Sequence, residues 1–137
     1  MQTSENGISF IKSNEGFADI PYNDNGHPAW GYGHDQEAGE EVPASISQDE
    51  ADLLLRKDLA TRYEPVVNAR VPDDCTQGQF DALVDFCYNL GPSALQTMLN
   101  HGWEDVPNQI PRWNKAGGAV NAGLTARRNA EVQMFNS

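Results

Sequence analysis

The stretch Asn14-Glu15-Gly16-Phe17-Ala18-Asp19-Ile20-Pro21-Tyr22-Asn23-Asp24-Asn25-Gly26-His27-Pro28-Ala29-Trp30-Gly31-Tyr32-Gly33-His34 decides how the rest of the chain is read. Just before it, Ile8, Phe10 and Ile11 predict a short helix with those side chains inward, and Gly16 is placed to cap its end. Beyond Phe17 the pattern changes to turns and short extended pieces, at Pro21, Asn23-Asp24-Asn25-Gly26 and Gly31-Tyr32-Gly33. Asp-Asn-Gly is strong hairpin-turn chemistry, so a small antiparallel sheet is expected here. Glu15 then closes a helix, and Asp24, nine residues on, sits at a hairpin. Two carboxylates on different elements facing one cleft are the minimal equipment for cutting a glycosidic bond. One keeps its proton for the leaving oxygen, while the other stays ionised to activate water or attack carbon.

Working outward, residues 35–46 form an acidic loop carrying Glu37, Glu40 and Glu41. Ser47-Gln48-Asp49-Glu50 is a capping box and opens a helix with Ala51, Leu54, Leu55 and Leu59 at helical spacing, expected to stop near Tyr63. Thr76-Gln77-Gly78-Gln79 repeats the device and opens a helix over 80–90 that ends at Gly91-Pro92. Shorter helices are expected over 93–100 and 105–114, and a last one over 124–135, after the turn Ala116-Gly117-Gly118. With no repeat, low-complexity tract or linker, the pattern predicts an α+β domain: a small antiparallel β lobe inserted in a larger helical lobe.

The 137 residues suffice for one domain with a real core, and 39 % hydrophobic with 21 % charged residues is ordinary for a globular chain. No apolar run reaches the length of about 18 residues that a membrane span needs, so no membrane insertion is expected. The first residues, Met1-Gln2-Thr3-Ser4-Glu5-Asn6, lack the basic and apolar regions of a signal peptide, so synthesis in the cytoplasm is the expectation. Net charge is −11, and the one basic cluster, Arg127-Arg128, is too small to steer a polyanion, which argues against a nucleic-acid partner. Repulsion would also act on an anionic cell wall. Cys75 and Cys87 are expected as free thiols, Cys87 on the apolar face with Phe80, Leu83 and Val84. Neither cysteine has a partner at metal-ligand spacing and the three histidines do not cluster, so no metal site is expected.

Four blocks in order resemble the phage-type lysozymes (endolysins) of glycoside hydrolase family 24. Glu-Gly-Phe…Tyr-Asn-Asp…Gly-Tyr-Gly-His over 15–34 resembles the family's active-site segment. Leu55-Arg56-Lys57-Asp58-Leu59 resembles its interlobe helix, and residues 79–91, from Gln79-Phe80-Asp81 to Tyr88-Asn89-Leu90-Gly91, its central buried helix. Arg112-Trp113-Asn114-Lys115-Ala116-Gly117-Gly118 with Gly123-Leu124…Arg127-Arg128…Glu131…Phe135 resembles its C-terminal signature. The resemblance covers nearly the whole chain. It implies a lysozyme-like fold with the cleft between two lobes, one comprising about 15–60 and the other 1–14 with 61–137. It further implies a monomeric muramidase without cofactor, acting on peptidoglycan glycan strands after holin-type release or other export. By resemblance, Glu15 is the general acid and Asp24 the carboxylate that positions and deprotonates water. On their spacing alone, Glu15 would read as a solvated last-turn residue and Asp24 as a turn former; the other blocks reverse that reading.

One departure stands out. Where the family places threonine before its Gly-x-Gly-His, this chain has Ala29, in a loop one residue shorter. The lost hydroxyl removes one hydrogen bond to the attacking water, worth about 1–2 kcal/mol. A slowed enzyme is expected, the alternative being a catalytically weakened or inactive relative that binds wall glycan. His27 is a candidate to orient the water instead. Gly33, Tyr88, Asn89, Gly91 and Arg128 are candidate substrate-binding positions, with Arg127 and Arg128 also candidates to hold Glu15. His34 is expected to brace the sheet through a carboxylate, and Trp30, Trp103 and Trp113 to be packing anchors. Carboxyls about 6.5–9.5 Å apart would give inversion, and about 5–5.5 Å retention.

Overall fold

The computed structural model describes residues 1–137. Helix α1, Glu5–Glu15, starts from Ser4, whose side chain accepts the Gly7 N–H, and ends at Gly16 with φ 73°. Ile8 and Ile11 are buried as expected, whereas Phe10 is only half-buried. Strands β1 (Ala18–Asp24), β2 (His27–Gly31) and β3 (His34–Asp35) form an antiparallel sheet in sequence order. The β1–β2 loop is two residues, Asn25 (φ 52°) and Gly26 (φ 90°), both in the left-handed region that such a loop demands. Asn23 Oδ1 accepts the Gly26 N–H at 2.7 Å and locks the turn.

Helix α2, Gln48–Asp58, opens with the reciprocal Ser47–Glu50 capping box. It does not stop near Tyr63. A π-helical turn, Leu59–Tyr63, carries it into α3, Glu64–Asn68. Pro65 explains the widened turn: its ring has no N–H for the Thr61 carbonyl and would clash with it in a regular helix. Helix α4, Gln77–Leu90, is buried from Phe80 to Cys87 and packs against α1, α3, α5 (Pro92–Leu99) and α7 (Ala122–Phe135). The helix expected over 105–114 is three single-turn pieces: a 3-10 turn at Trp103–Asp105, α6 at Val106–Gln109 and a 3-10 turn at Ile110–Arg112. Pro107 and Pro111 each remove a backbone donor, which prevents one continuous helix. The glycine turn at 117–118 joins a second hairpin, β4 (Lys115–Ala116) and β5 (Ala119–Val120), unforeseen as strands. Helix α7 begins two residues earlier than expected because the Asn121 side chain caps it by accepting the Leu124 N–H.

The core is formed by α4 with α1, α2, the π turn, α3, α5, α6 and α7, and includes Ile11, Leu55, Leu59, Val67, Leu95, Met98 and Ile110. All three tryptophans pack against aromatic rings: Trp30 on His34, Trp103 on Phe135 and Trp113 on Phe86. Cys75 and Cys87 are free thiols. No helix is long and apolar enough to cross a membrane.

Candidate active site

Glu15 is the last residue of α1, so its backbone sits at the negative end of the helix dipole, which disfavours a carboxylate. Its side chain is 18 % exposed, and burial is the largest influence on its acidity, raising the pKa above the ordinary value. The Arg127 guanidinium pulls the other way, with Nη1 donating to Glu15 Oε2 at 2.8 Å, but does not win. Arg127 is itself clamped from below: Nε and Nη2 donate to the two oxygens of buried Asp85 at 2.9 and 2.8 Å. An α7 arginine thereby bridges an α4 aspartate to the α1 glutamate, fixing the direction of the Glu15 carboxyl.

The other wall is the sheet. Gly33 has φ +81°, and a Cβ there would lie 2.5 Å from Glu15 Oε1, so only glycine lets the turn close over the carboxyl. Tyr88 O–H donates to the Tyr32 carbonyl at 2.5 Å, tying the end of α4 to the same turn. Behind it, His34 is buried between Asp58 (Nδ1–Oδ2 2.5 Å) and Glu40 (Nε2–Oε1 2.8 Å). Burial opposes its charged form, but the two carboxylates outweigh burial and raise its pKa. It braces the sheet against α2, as expected from its place after Gly33.

Between these walls lies a cleft of about 380 Å³ lined by Glu15, Tyr22, Asp24, Asn25, Gly33, Asp35, Tyr88 and Asn89. Glu15 and Asp24, from a helix end and a hairpin end, therefore line one cleft, with Gly33, Tyr88 and Asn89 beside them. The remaining candidates lie elsewhere. His27 lines a separate hollow with Pro21, Tyr22, Asn23, Gly26, Pro28 and Val42 on the hairpin, so it is not placed to orient cleft water. Gly91, φ 96°, caps α4 and shapes the end that carries Tyr88 and Asn89 without lining the cleft. Arg128 is 0 % exposed. Its Nη2 donates to Asn89 Oδ1 at 2.7 Å and to Glu131 at 2.8 Å, so any influence on a ligand passes through Asn89. Ala29 is 0 % exposed, in the sheet floor.

Three lining residues, Tyr22, Asn25 and Asp35, were not singled out from the sequence. Tyr22 pairs with Ala29 across β1–β2, and Ala29 pairs with Asp35 across β2–β3, so Tyr22, Ala29 and Asp35 share one face of the sheet. The alternation rule applied to the short β2–β3 turn would have placed Asp35 on the face of Ala29. Burial first, then the Asp24 carboxylate and a hydrogen-bonding contact with it, raise the pKa of Asp35.

The phage lysozyme family model matches residues 12–131. The endolysin of Bacillus phage PZA is 39 % identical over the whole chain, which spans 56 % of that protein's length. The chain thus spans little more than half the length of the Bacillus phage endolysins it matches. The endolysin of Salmonella phage P22 is 31 % identical, over all of this chain and 99 % of its own. Among solved structures, the muramidase domain of SpmX from Asticaccaulis excentricus superposes with a TM-score of 0.84 at 31 % identity, covering 99 % of this chain and 98 % of that one. Matched in sequence across both walls of the cleft and in fold from end to end, the chain belongs to the phage lysozyme family.

Proposed function

We propose that the chain is a muramidase, hydrolysing the β-1,4 bond between N-acetylmuramic acid and N-acetylglucosamine in peptidoglycan. The observation that carries this reading is Glu15: a cleft carboxyl whose pKa burial raises, aimed by Arg127 and facing a second cleft carboxylate, Asp24. Protonated Glu15 gives its proton to the glycosidic oxygen as the C1–O bond breaks. Asp24 takes a proton from the water that attacks C1. Tyr88 and Asn89 supply polar contacts for the sugars, and Gly33 leaves room for the acid. The chain works as a monomer without metal or cofactor. Made in the cytoplasm, it meets its substrate through an export or lysis route supplied from elsewhere.

Turbidity clearing of purified peptidoglycan by the wild type and by Glu15→Gln tests this. Clearing that the variant abolishes is the expected result, with the wild-type rate falling as pH rises through the raised pKa of Glu15. The Ala29 methyl, where a hydroxyl would hold water, favours a binding-only alternative. A folded wild type that retains glycan in a pulldown and clears nothing would establish it.

A further inference from the structure

An attacking water needs more than a base. One hydrogen goes to Asp24, and the other must be held by an acceptor that aims the lone pair at C1. Ala29 offers only a methyl group, and His27 lies in another hollow. Asp35 lines the cleft together with Asp24 and stands directly across the β2–β3 ladder from Ala29 on the same face. We propose that Asp35 is the water-positioning residue of this cleft, acting beside Asp24 where Ala29 cannot. The proposal rests on the muramidase reading and adds a third carboxyl to it.

Asp35 shares the cleft with a second carboxyl, which makes its own ionisation costlier. The charges around Asp35 act in both directions. Asp24 on β1 and Glu15 on α1 oppose its ionisation, while His34 on its own strand and Arg62 on the π turn favour it. Tyr22, Tyr63 and Tyr88 face it as neutral phenols. Burial and Asp24 prevail, so the pKa of Asp35 is raised, and in its protonated form Asp35 donates a hydrogen bond to one Asp24 oxygen. The second Asp24 oxygen remains free to take the proton of the attacking water, and the carbonyl oxygen of Asp35 accepts that water's other hydrogen. As the water oxygen bonds to C1, the C1–O bond breaks and Glu15 protonates the leaving oxygen. The Asp35 proton never leaves the pair.

An asparagine reproduces both contacts, because its NH₂ donates to Asp24 and its carbonyl accepts from water; a leucine reproduces neither. Initial clearing rates and steady-state kinetics on soluble glycan fragments are compared for wild type, D35N and D35L, with circular dichroism to verify folding. D35L is expected to lose about tenfold in kcat at unchanged KM, the worth of one lost hydrogen bond in the transition state. D35N is expected to keep most of the wild-type rate and to hold it to higher pH, because one of the two protons that the alkaline limb requires is then permanent. D35L clearing at the wild-type rate, or D35N falling as far as D35L, overturns the proposal while leaving the muramidase reading intact. A folded wild type that clears nothing overturns that reading and this one with it.

Discussion

At the scale of single residues, Glu15 ties stability to chemistry. Its folded-state pKa is raised, so the folded protein binds this proton more tightly than the unfolded chain does. The associated stability is complete below the ordinary carboxylate pKa and is lost as pH rises through the raised value. Glu15→Gln removes the ionisation. The variant is therefore expected to match wild type in melting temperature at acidic pH and to exceed it at neutral pH, the gap opening with pH in a thermal-denaturation series. A gap independent of pH would mean that the buried charge is not its cause. Activity demands this titratable group in a buried place at a cost in stability, as many active sites do.

At the scale of elements, the seam between α4 and α7 carries the most buried charge. Buried Asp85 holds Arg127, which reaches Glu15 at the cleft, while Arg128 and Glu131, both 0 % exposed, pair at 2.8 Å. Arg128 also lies over the Phe86 ring, with its Cζ 5.2 Å from the ring centroid. Full burial and neighbouring Asp85 push Glu131 up against the pull of Arg128. Arg128→Met leaves Glu131 without its partner and is expected to cost about 3–5 kcal/mol in urea unfolding. Adding Glu131→Leu should recover most of that loss, since an apolar pair of similar volume replaces a buried ion pair at little cost. Clearing activity should recover less than stability, because Asn89 remains without the Arg128 donor. Recovery of both would reduce Arg128 to a packing residue.

At the scale of the whole molecule, the charge of −11 opposes approach to an anionic wall. Raising ionic strength from about 10 mM to about 150 mM shortens the screening length from about 30 Å to about 8 Å. The clearing rate of the wild type is expected to rise across that range and to level off beyond it, with circular dichroism unchanged. A rate that only falls would place an attractive electrostatic contact in the encounter. The cleft chemistry should be insensitive to this change, so soluble neutral glycan fragments should be cleaved at the same rate throughout.

The sequence by itself determined the elements whose signals are local. Ser47–Glu50 and Thr76–Gln79 close their capping boxes within four residues, Asn25-Gly26 turns the hairpin through its own backbone, and Gly16 ends α1 by lying in the left-handed region. Ordered blocks of residues were enough for the family, and the Glu15–Asp24 pair was legible with them. The π turn before Pro65 and the breaks at Pro107 and Pro111 were missed where helical periodicity continued across a proline. Only the tertiary structure decided that the pKa of Glu15 is raised, because its burial depends on Gly33 from the sheet side and Arg127 from α7, far along the chain. It also moved His27 out of the cleft, sent Arg128 behind Asn89 and brought Asp35 beside Asp24. Turn and cap chemistry is settled between near neighbours, whereas solvation and charge at a site are summed over everything the fold brings within a few ångströms.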